Sequence, residues 1–525
     1  MLRILFVMVA AILSAAAWSA SASAPTPKKL AKMSEEQLWA AVDKAAQDDQ
    51  GYCVVAPIYA ELARRNPVAG IDAGKAFFEG ACALGNREYD RALERLSVAE
   101  GLFPVGADVE IRRTIDYMAM LAASGARDRP AFAEHVGHVA TRDDPAEFAA
   151  LNDEAWSWAF RFEPDEWTEP AALALARAAS FEQLPEKTRW AVESTAIRPA
   201  LQAGETDLAV KLATTRPNPY NLVKLLIDRR YAAIWPQLES AAGSNLSMVL
   251  RGYLAEALAQ RAAAPRDPLK LSQVVLAKLW LGDFAGAVAD AAVIERTPKG
   301  LAKIVENEAW ALDSAVNAYD GLGQPAEADA IFNGLADLDT EGRYWVVNFA
   351  INRARRLVRH GRWEEALPAT ERAVAVAAQF GSPYAKEAAA ADRYCAAVKL
   401  DPTRPELDTW WEAIAANFKD NLASAVMGAQ CKGDNETARR FLREGLVDER
   451  TRSGAIKILQ PSEVVLFYDE RNRIADPRIL LDDDPALRQL FLSHGRDLPE
   501  HLRPHATRAT SRKEIAASQA PTDSN

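Results

Sequence analysis

Two histidines are the first residues in this sequence that could do chemistry. His135 and His138 lie three residues apart in a segment with helical character, so they share one helix face and are close enough to bind the same metal ion. Neither belongs to an H-E-x-x-H motif, and the sequence names no third ligand. We therefore expect two histidines on the surface of a helix, and we expect no metal or cofactor.

The motifs of common enzyme classes are absent from the sequence. It contains no G-x-S-x-G, no P-loop and no G-x-G-x-x-G. His501 and His505 lie four residues apart, but Pro504 between them argues against a continuous helix. The sequence therefore favours a protein that is not an enzyme, and an enzyme with an unrecognised site is the least favoured of three hypotheses.

The N-terminus and the net charge indicate an exported protein. Arg3, an apolar run at 4–18 and small residues at 19–24 are typical of a secretory signal peptide, and the run is shorter than a membrane-spanning helix needs. We expect cleavage after Ala22 rather than Ala24, and a periplasmic or secreted protein without a transmembrane anchor. A retained N-terminal anchor is the alternative. The net charge of −11 disfavours nucleic acid and anionic membranes as partners.

Glycine turns recur along the chain at a fixed distance from an alanine. Gly282 precedes Ala287 by five residues, and Gly361 precedes Ala366 by the same number. Glycine tolerates the left-handed conformation that ends a helix, and alanine suits a close crossing of two helices. The equivalent alanines are Ala56, Ala92, Ala209, Ala287, Ala328, Ala366 and Ala438. Their separations correspond to repeats of 36 to 41 residues, enough for two antiparallel helices with short turns.

This register resembles the tetratricopeptide-repeat (TPR) family. The best unit spans 71–104 and carries Gly80, Tyr89, Ala92, Leu96, Ala99 and Pro104. A second unit spans 309–338, and 151–156 looks like a variant that opens with a Leu-Asn-x-x-Ala-Trp box. The resemblance covers roughly 34–450. It implies an all-α superhelical solenoid of TPR-like antiparallel helix hairpins. An irregular helical protein whose glycine turns recur by chance is the alternative.

The pattern also divides the chain into segments. We expect a signal peptide at 1–22, a linker at 23–33, an N-terminal helical stack at 34–264, a C-terminal helical stack at 265–450, a capping segment at 451–505 and a disordered tail at 506–525. The loop at 264–268 contains two prolines and is a candidate hinge between the stacks. Within the capping segment, 464–468 is expected to form a strand or a final helix.

The TPR resemblance implies a groove on the inner curve of the superhelix, lined by the first helix of each repeat. Carried over by position, the groove candidates are Trp310, Asp313, Asn317, Asn348, Ile351, Arg355 and Arg359. Asparagine and arginine side chains bind peptide backbones and carboxylates, although the lysines of the family's carboxylate clamp are missing here. We therefore expect a non-catalytic scaffold of the cell envelope that binds a protein or peptide. Binding of peptidoglycan or polysaccharide is the alternative, because 13 tryptophans offer flat faces to sugar rings.

Four cysteines, an even number, permit disulfides in an oxidising compartment. Cys53 lies near the start of one predicted helix and Cys82 near the end of the next, so antiparallel packing brings them together. Cys395 and Cys431 are 36 residues apart, which is one repeat, and pair only if both face the same seam. Four buried thiols are the alternative to these two pairings.

Overall fold

The computed structural model describes residues 25–47, 51–103, 109–141, 166–184, 186–215, 219–461 and 472–503. Four sequence predictions lie outside these described residues: the signal peptide, the box at 151–156, the strand or helix at 464–468, and the C-terminal tail.

The fold is all-α, as the sequence predicts. Within the described ranges the chain forms 27 α-helices and no β-strand, apart from one isolated bridge between Asp228 and Gly495. None of the helices described here combines the length and the apolarity that a membrane crossing demands.

The chain divides into two compact units, Met1–Leu212 and Ala213–Asn525. The helices that begin in the first unit are α1 (Pro27–Leu30), α2 (Glu35–Gln47), α3 (Tyr52–Arg65), α4 (Ala69–Gly85), α5 (Tyr89–Leu102), α6 (Val109–Ala126), α7 (Arg129–Ala140), α8 (Thr168–Arg177), α9 (Glu186–Gln202) and α10 (Thr206–Thr214). From α3 to α9, each helix packs against the next one along the chain.

The second unit contains seventeen further α-helices. They are α11 (Pro219–Ile227), α12 (Trp235–Ala242), α13 (Leu246–Ala263), α14 (Pro268–Leu281), α15 (Phe284–Ala291), α16 (Pro298–Leu301), α17 (Glu306–Gly321), α18 (Pro325–Ala336), α19 (Val346–Arg359), α20 (Trp363–Phe380), α21 (Pro383–Leu400), α22 (Leu407–Ala416), α23 (Leu422–Lys432), α24 (Asn435–Val447), α25 (Arg452–Ile458), α26 (Arg478–Asp482) and α27 (Pro485–His494). Most sequential neighbours pack together here too, and α19, α21 and α23 also contact one another in succession.

Seven of the turns between helices have the same backbone structure. Each contains a residue in the left-handed region, with φ between 58° and 80°: Arg87, Arg127, Gly204, Gly282, Gly323, Gly361 and Gly433. In each, the next residue donates its N–H to the carbonyl five positions earlier, as Asp283 does to Lys278 at 2.9 Å and Arg362 does to Leu357 at 3.0 Å. This bond is the mark of a Schellman helix end, which satisfies carbonyls that the helix leaves unpaired. The recurrent turn is therefore a real structural unit of this chain.

The alanine register predicted from the sequence corresponds to buried positions. All seven alanines are buried, and Ala287 and Ala366 have no exposed surface. The residue five positions after each left-handed residue is alanine in six of the seven turns and Phe132 in the seventh. Each of these seven residues is the fourth of its helix and is buried. The turn and the helix contact thus repeat together.

Consecutive helices run antiparallel where close side-chain contacts fix their direction. A methyl group on Gly125, near the end of α6, would lie 2.3 Å from the ring of Tyr89 at the start of α5. On α4, a methyl group on Gly80 would lie 2.8 Å from Leu96 of α5. Side chains at either glycine would force the helices apart, which explains glycine within these two helices, where it is otherwise unfavourable.

Two of the predicted boundaries differ from the structure. Residues of the predicted linker form α1, whose Leu30 is buried, and Arg65 donates to the carbonyls of Leu30 and Met33 at 2.9 and 2.6 Å. The two compact units divide at 212/213 rather than at 264/265. The predicted hinge instead lies between α13 and α14, which pack directly against each other. Pro268 is the first residue of α14, a position that suits proline.

The C-terminal segment of the second unit returns to the first helices of that unit. Arg496 donates its backbone N–H to Ile227 at 2.8 Å and its Nε to the carbonyl of Leu226 at 2.7 Å. Its guanidinium also lies over the ring of Trp235, 3.7 Å from the centroid. Part of the predicted capping segment, 451–505, therefore contacts α11 and α12 at the start of the second unit.

Candidate functional site

The seven residues predicted to line a peptide groove all lie on two helices. Trp310, Asp313 and Asn317 are on α17, and Asn348, Ile351, Arg355 and Arg359 are on α19. Ile351 is buried, Arg359 is exposed, and the other five are partly buried. Their role in binding stays a prediction, but their contacts show which of them a ligand can reach.

Trp310 packs between the two helices. Its ring centroid lies 4.9 Å from that of Phe349 on α19, and Trp345 contacts the same phenylalanine at 5.6 Å. Its Nε1 donates to Glu306 on its own helix at 3.3 Å. Most of this tryptophan thus contributes to the contact between α17 and α19.

Asp313 is held by two amides. Asn352 of α19 donates its Nδ2 to Oδ1 of Asp313 at 2.9 Å, and Asn317 donates to the backbone carbonyl of Asp313 at 3.0 Å. Burial raises the pKa of Asp313 to about 6, against the opposing effect of the hydrogen bond from Asn352. This carboxyl group therefore titrates just below neutral pH in the folded protein.

Arg355 connects three helices. Its Nε lies 3.2 and 3.1 Å from the two carboxylate oxygens of Asp392 on α21, and its Nη2 donates to Oγ of Ser424 on α23 at 2.8 Å. Asp392 is fully buried, and burial raises its pKa while Arg355 opposes that effect. A guanidinium paired in this way cannot grip a peptide without leaving a buried carboxylate unpaired, which is costly. We refer to Asp313, Asn352, Arg355, Asp392 and Ser424 as the polar seam.

Three exposed apolar side chains stand near the starts of the same series of helices. Val305 precedes α17, Tyr344 precedes α19, and Tyr384 is the second residue of α21. They are 39 and 40 residues apart, which is one repeat each, and the two tyrosines are 66% and 60% exposed. We refer to these three residues as the apolar row. Positions carried over from the TPR consensus did not include them, although their spacing in the sequence matches the repeat.

Both cysteine pairs predicted from the register are disulfides in the structure. Cys53 and Cys82 join α3 to α4, with Cα atoms 4.7 Å apart. Cys395 and Cys431 join α21 to α23, with Cα atoms 5.3 Å apart. The second disulfide lies between the same two helices as the contact of Arg355 with Asp392 and Ser424, so a covalent bond and a buried ion pair hold this part of the polar seam.

The two histidines of α7 are not both on the surface, and this corrects the expectation from the sequence. His135 is only 3% exposed, and its Nδ1 lies 3.4 Å from Oδ1 of Asp116 on α6. His138 is half-exposed, and its Nδ1 lies 3.0 Å from the same oxygen. The hydrogen bond to Asp116 raises the pKa of His138, and the negative charges of Glu100 and Glu134 add to the effect. Asp116 is the third ligand candidate that the sequence did not name.

Ten of the 13 tryptophans lie in the described residues, and most of them are packed against the protein. Among these ten, Trp167 alone is exposed. Trp235 and Trp410 have arginine guanidinium groups over their rings, at 3.7 and 3.9 Å from the centroids. The described tryptophans therefore do not form the open platform that stacking on a sugar ring needs.

Comparison with known proteins adds no family to this picture: a scan of the sequence against protein-family models and a search of curated proteins both find no match.

Proposed function

We propose that this chain is an exported, non-catalytic scaffold, built as a solenoid of TPR-like hairpins, that binds a protein or peptide. The observation that carries the proposal is the recurrent hairpin: one turn structure and one buried contact position, repeated seven times. Repeats that contact mainly their neighbours present like positions at regular intervals along one surface, which suits an extended partner.

The apolar row is where we place the contact with the partner. Single exposed apolar residues are ordinary, but three of them at the repeat spacing offer a series of contacts to an extended or helical ligand. Tyr384 lies eight residues before Asp392 on α21, so it is about two helical turns from the polar seam along the same helix. The seam supplies a rigid base, and the tyrosines supply the accessible area.

Export is part of the same proposal. The predicted signal peptide would direct the chain to an oxidising compartment, where the two disulfides persist. Sequencing of the mature N-terminus should begin at Ser23, and alkylation without reduction should modify no cysteine. An intact Met1, or four alkylated thiols, would contradict the proposed location.

Site-specific photo-crosslinking tests the binding surface. A photoreactive phenylalanine analogue replaces Tyr344 or Tyr384 in the native organism, with Met248, which is exposed elsewhere in the second unit, as the control position. We expect the same discrete adduct from both tyrosine positions and none from Met248. Equal labelling at all three positions, or none at any, would contradict a partner site at the apolar row.

A loss-of-binding variant separates contact from chance proximity. Tyr344→Ser with Tyr384→Ser should abolish co-purification of the crosslinked partner, while Met248→Ser should leave it unchanged. All three side chains are exposed, and Tyr344 also contacts the ring of Phe380 at 5.5 Å between centroids, so the variants should stay within about 1.5 kcal/mol of the wild type in urea unfolding. Retained co-purification by the double variant would refute the proposed surface.

A further inference from the structure

The cluster of Asp116, His135 and His138 lies in the first unit, on the hairpin of α6 and α7, and the scaffold function makes no use of it. One ligand atom from each of the three residues lies within 4.8 Å of the others, and the cluster is the one set of this kind found among the described residues. Its three side chains come from two helices that pack directly on each other.

The distances in the cluster suit three ligands of one metal ion. Both Nδ1 atoms converge on a single oxygen, Oδ1 of Asp116, at 3.4 and 3.0 Å. The longer distance exceeds the usual range for a hydrogen bond between nitrogen and oxygen. Ligand atoms bound at ~2.0–2.1 Å in a tetrahedral arrangement lie roughly 3.3 Å apart. The two separations from Asp116 therefore match those of ligands around one small cation, and the two histidines offer ligand atoms within 4.8 Å of each other.

The donor set selects the class of cation. Two imidazole nitrogens and one carboxylate oxygen suit Zn²⁺ and similar divalent transition metals, whereas Ca²⁺ and Mg²⁺ prefer oxygen alone. Glu100 and Glu134 place further negative charge near His138. The surroundings named here are thus anionic and favour a divalent cation.

The burial pattern indicates how the cation enters and what completes its coordination. His135 and Asp116 are buried and come from packed helices, so their positions are fixed, while the side chain of His138 is 46% exposed. Three protein ligands leave the fourth position of a tetrahedral zinc ion for water or another exchangeable ligand. We propose that Asp116, His135 and His138 form a binding site for a Zn²⁺-type divalent cation, with its fourth position open to solvent on the side of His138.

Metal titration of the full mature chain, free of affinity tags and stripped with chelator, tests the proposal. Calorimetry with Zn²⁺ should give one site per chain, and Co²⁺ at the same site should show the intense visible absorption of tetrahedral coordination. His138→Gln should weaken binding at least about tenfold, since even changes outside the first ligand sphere have effects of that size. Because His138 is half-exposed, this variant should fold normally.

Two further variants complete the experiment. Asp116→Asn should weaken Zn²⁺ binding as His138→Gln does, whereas His501→Gln, at an exposed histidine outside the cluster, should bind as the wild type does. Added Zn²⁺ should raise the melting temperature of the wild type and of His501→Gln but not of the other two variants. The proposal is overturned if the wild type binds no Zn²⁺ at one ion per chain, or if His138→Gln binds it with unchanged affinity.

Discussion

Glu387 offers a sharp test of the packing in the second unit. This residue lies on α21 and is only 5% exposed, and its Oε1 has no hydrogen-bond partner among the described residues. Burial raises the pKa of Glu387 to about 8 from its ordinary value of 4.5, and the charge of Asp420 acts in the same direction. The carboxyl group is therefore mostly protonated in the folded protein at neutral pH.

The sign and size of the effect on stability follow from linkage. Because the folded pKa lies above the unfolded one, the contribution of the protonated group is complete below pH 4.5 and is lost as pH rises towards 8. At pH 7, which is about 2.5 units above the unfolded pKa, the carboxyl group is ionised in the unfolded chain and still protonated in the folded protein. At about 1.4 kcal/mol per unit, this difference lowers the free energy of unfolding by ~3 kcal/mol. Relaxation of the surroundings makes this figure an upper limit.

Glu387→Gln removes the ionisation and keeps the shape of the side chain. We expect wild type and variant to differ by less than about 1 kcal/mol in the free energy of unfolding at pH 4.5. At pH 7.5 the variant should be more stable by up to ~4 kcal/mol, because it no longer loses stability as the pH rises.

Urea unfolding followed by circular dichroism, at pH 4.5, 6.0 and 7.5, measures this difference. The comparison at each pH cancels the other titrating groups, including Asp313. Glu364→Gln, at an exposed glutamate on α20, is the control and should show no difference that depends on pH. If the difference between wild type and Glu387→Gln is the same at all three pH values, the carboxyl group is not buried and protonated as argued.

Three further substitutions test other contacts. Ala366→Leu should overpack a fully buried hairpin contact and lower the free energy of unfolding by ~1–3 kcal/mol, whereas Ala375→Leu on the exposed face of α20 should have little effect in the same urea titration. Asp392→Asn should destabilise by ~3 kcal/mol, because it leaves the guanidinium of Arg355 without its charge partner; calorimetry would show an unchanged melting temperature if the pair were dispensable. Arg496→Gln should cost ~1–3 kcal/mol and speed hydrogen exchange in α11, and unchanged exchange there would mean that the C-terminal segment does not hold the first helices of its unit.

Local features of the sequence predicted the hairpins because the turn is built from local interactions. A glycine in the left-handed region and an alanine five residues later are both visible in the sequence, and six of the seven repeated turns have that alanine. Arg87 and Arg127 occupy the left-handed position without being glycine, at a cost of ~1–2 kcal/mol each. The turn at Arg127 has neither feature, because arginine replaces the glycine and Phe132 replaces the alanine.

Side-chain partners were harder to predict, because they come from helices one repeat away. The sequence places Arg355 on the face of α19 that the TPR resemblance assigns to a groove. Its partner Asp392 lies 37 residues further on, and nothing local distinguishes that carboxylate from Glu387, the other acidic residue on α21. The contact of Arg496 with Leu226 spans 270 residues and has no counterpart in the repeat register.

The register could nevertheless have identified the third member of the histidine cluster. In an antiparallel hairpin, residues at equal distances before and after the turn lie side by side. Cys53 lies 14 residues before Pro67 and Cys82 lies 15 after it, and they form a disulfide. By the same rule, Asp116 lies eleven residues before the left-handed Arg127 and His138 lies eleven after it. Applied to ligand residues as well as to cysteines, the hairpin register therefore predicts which carboxylate faces His138, and the 3.0 Å contact between them is the one it would have named.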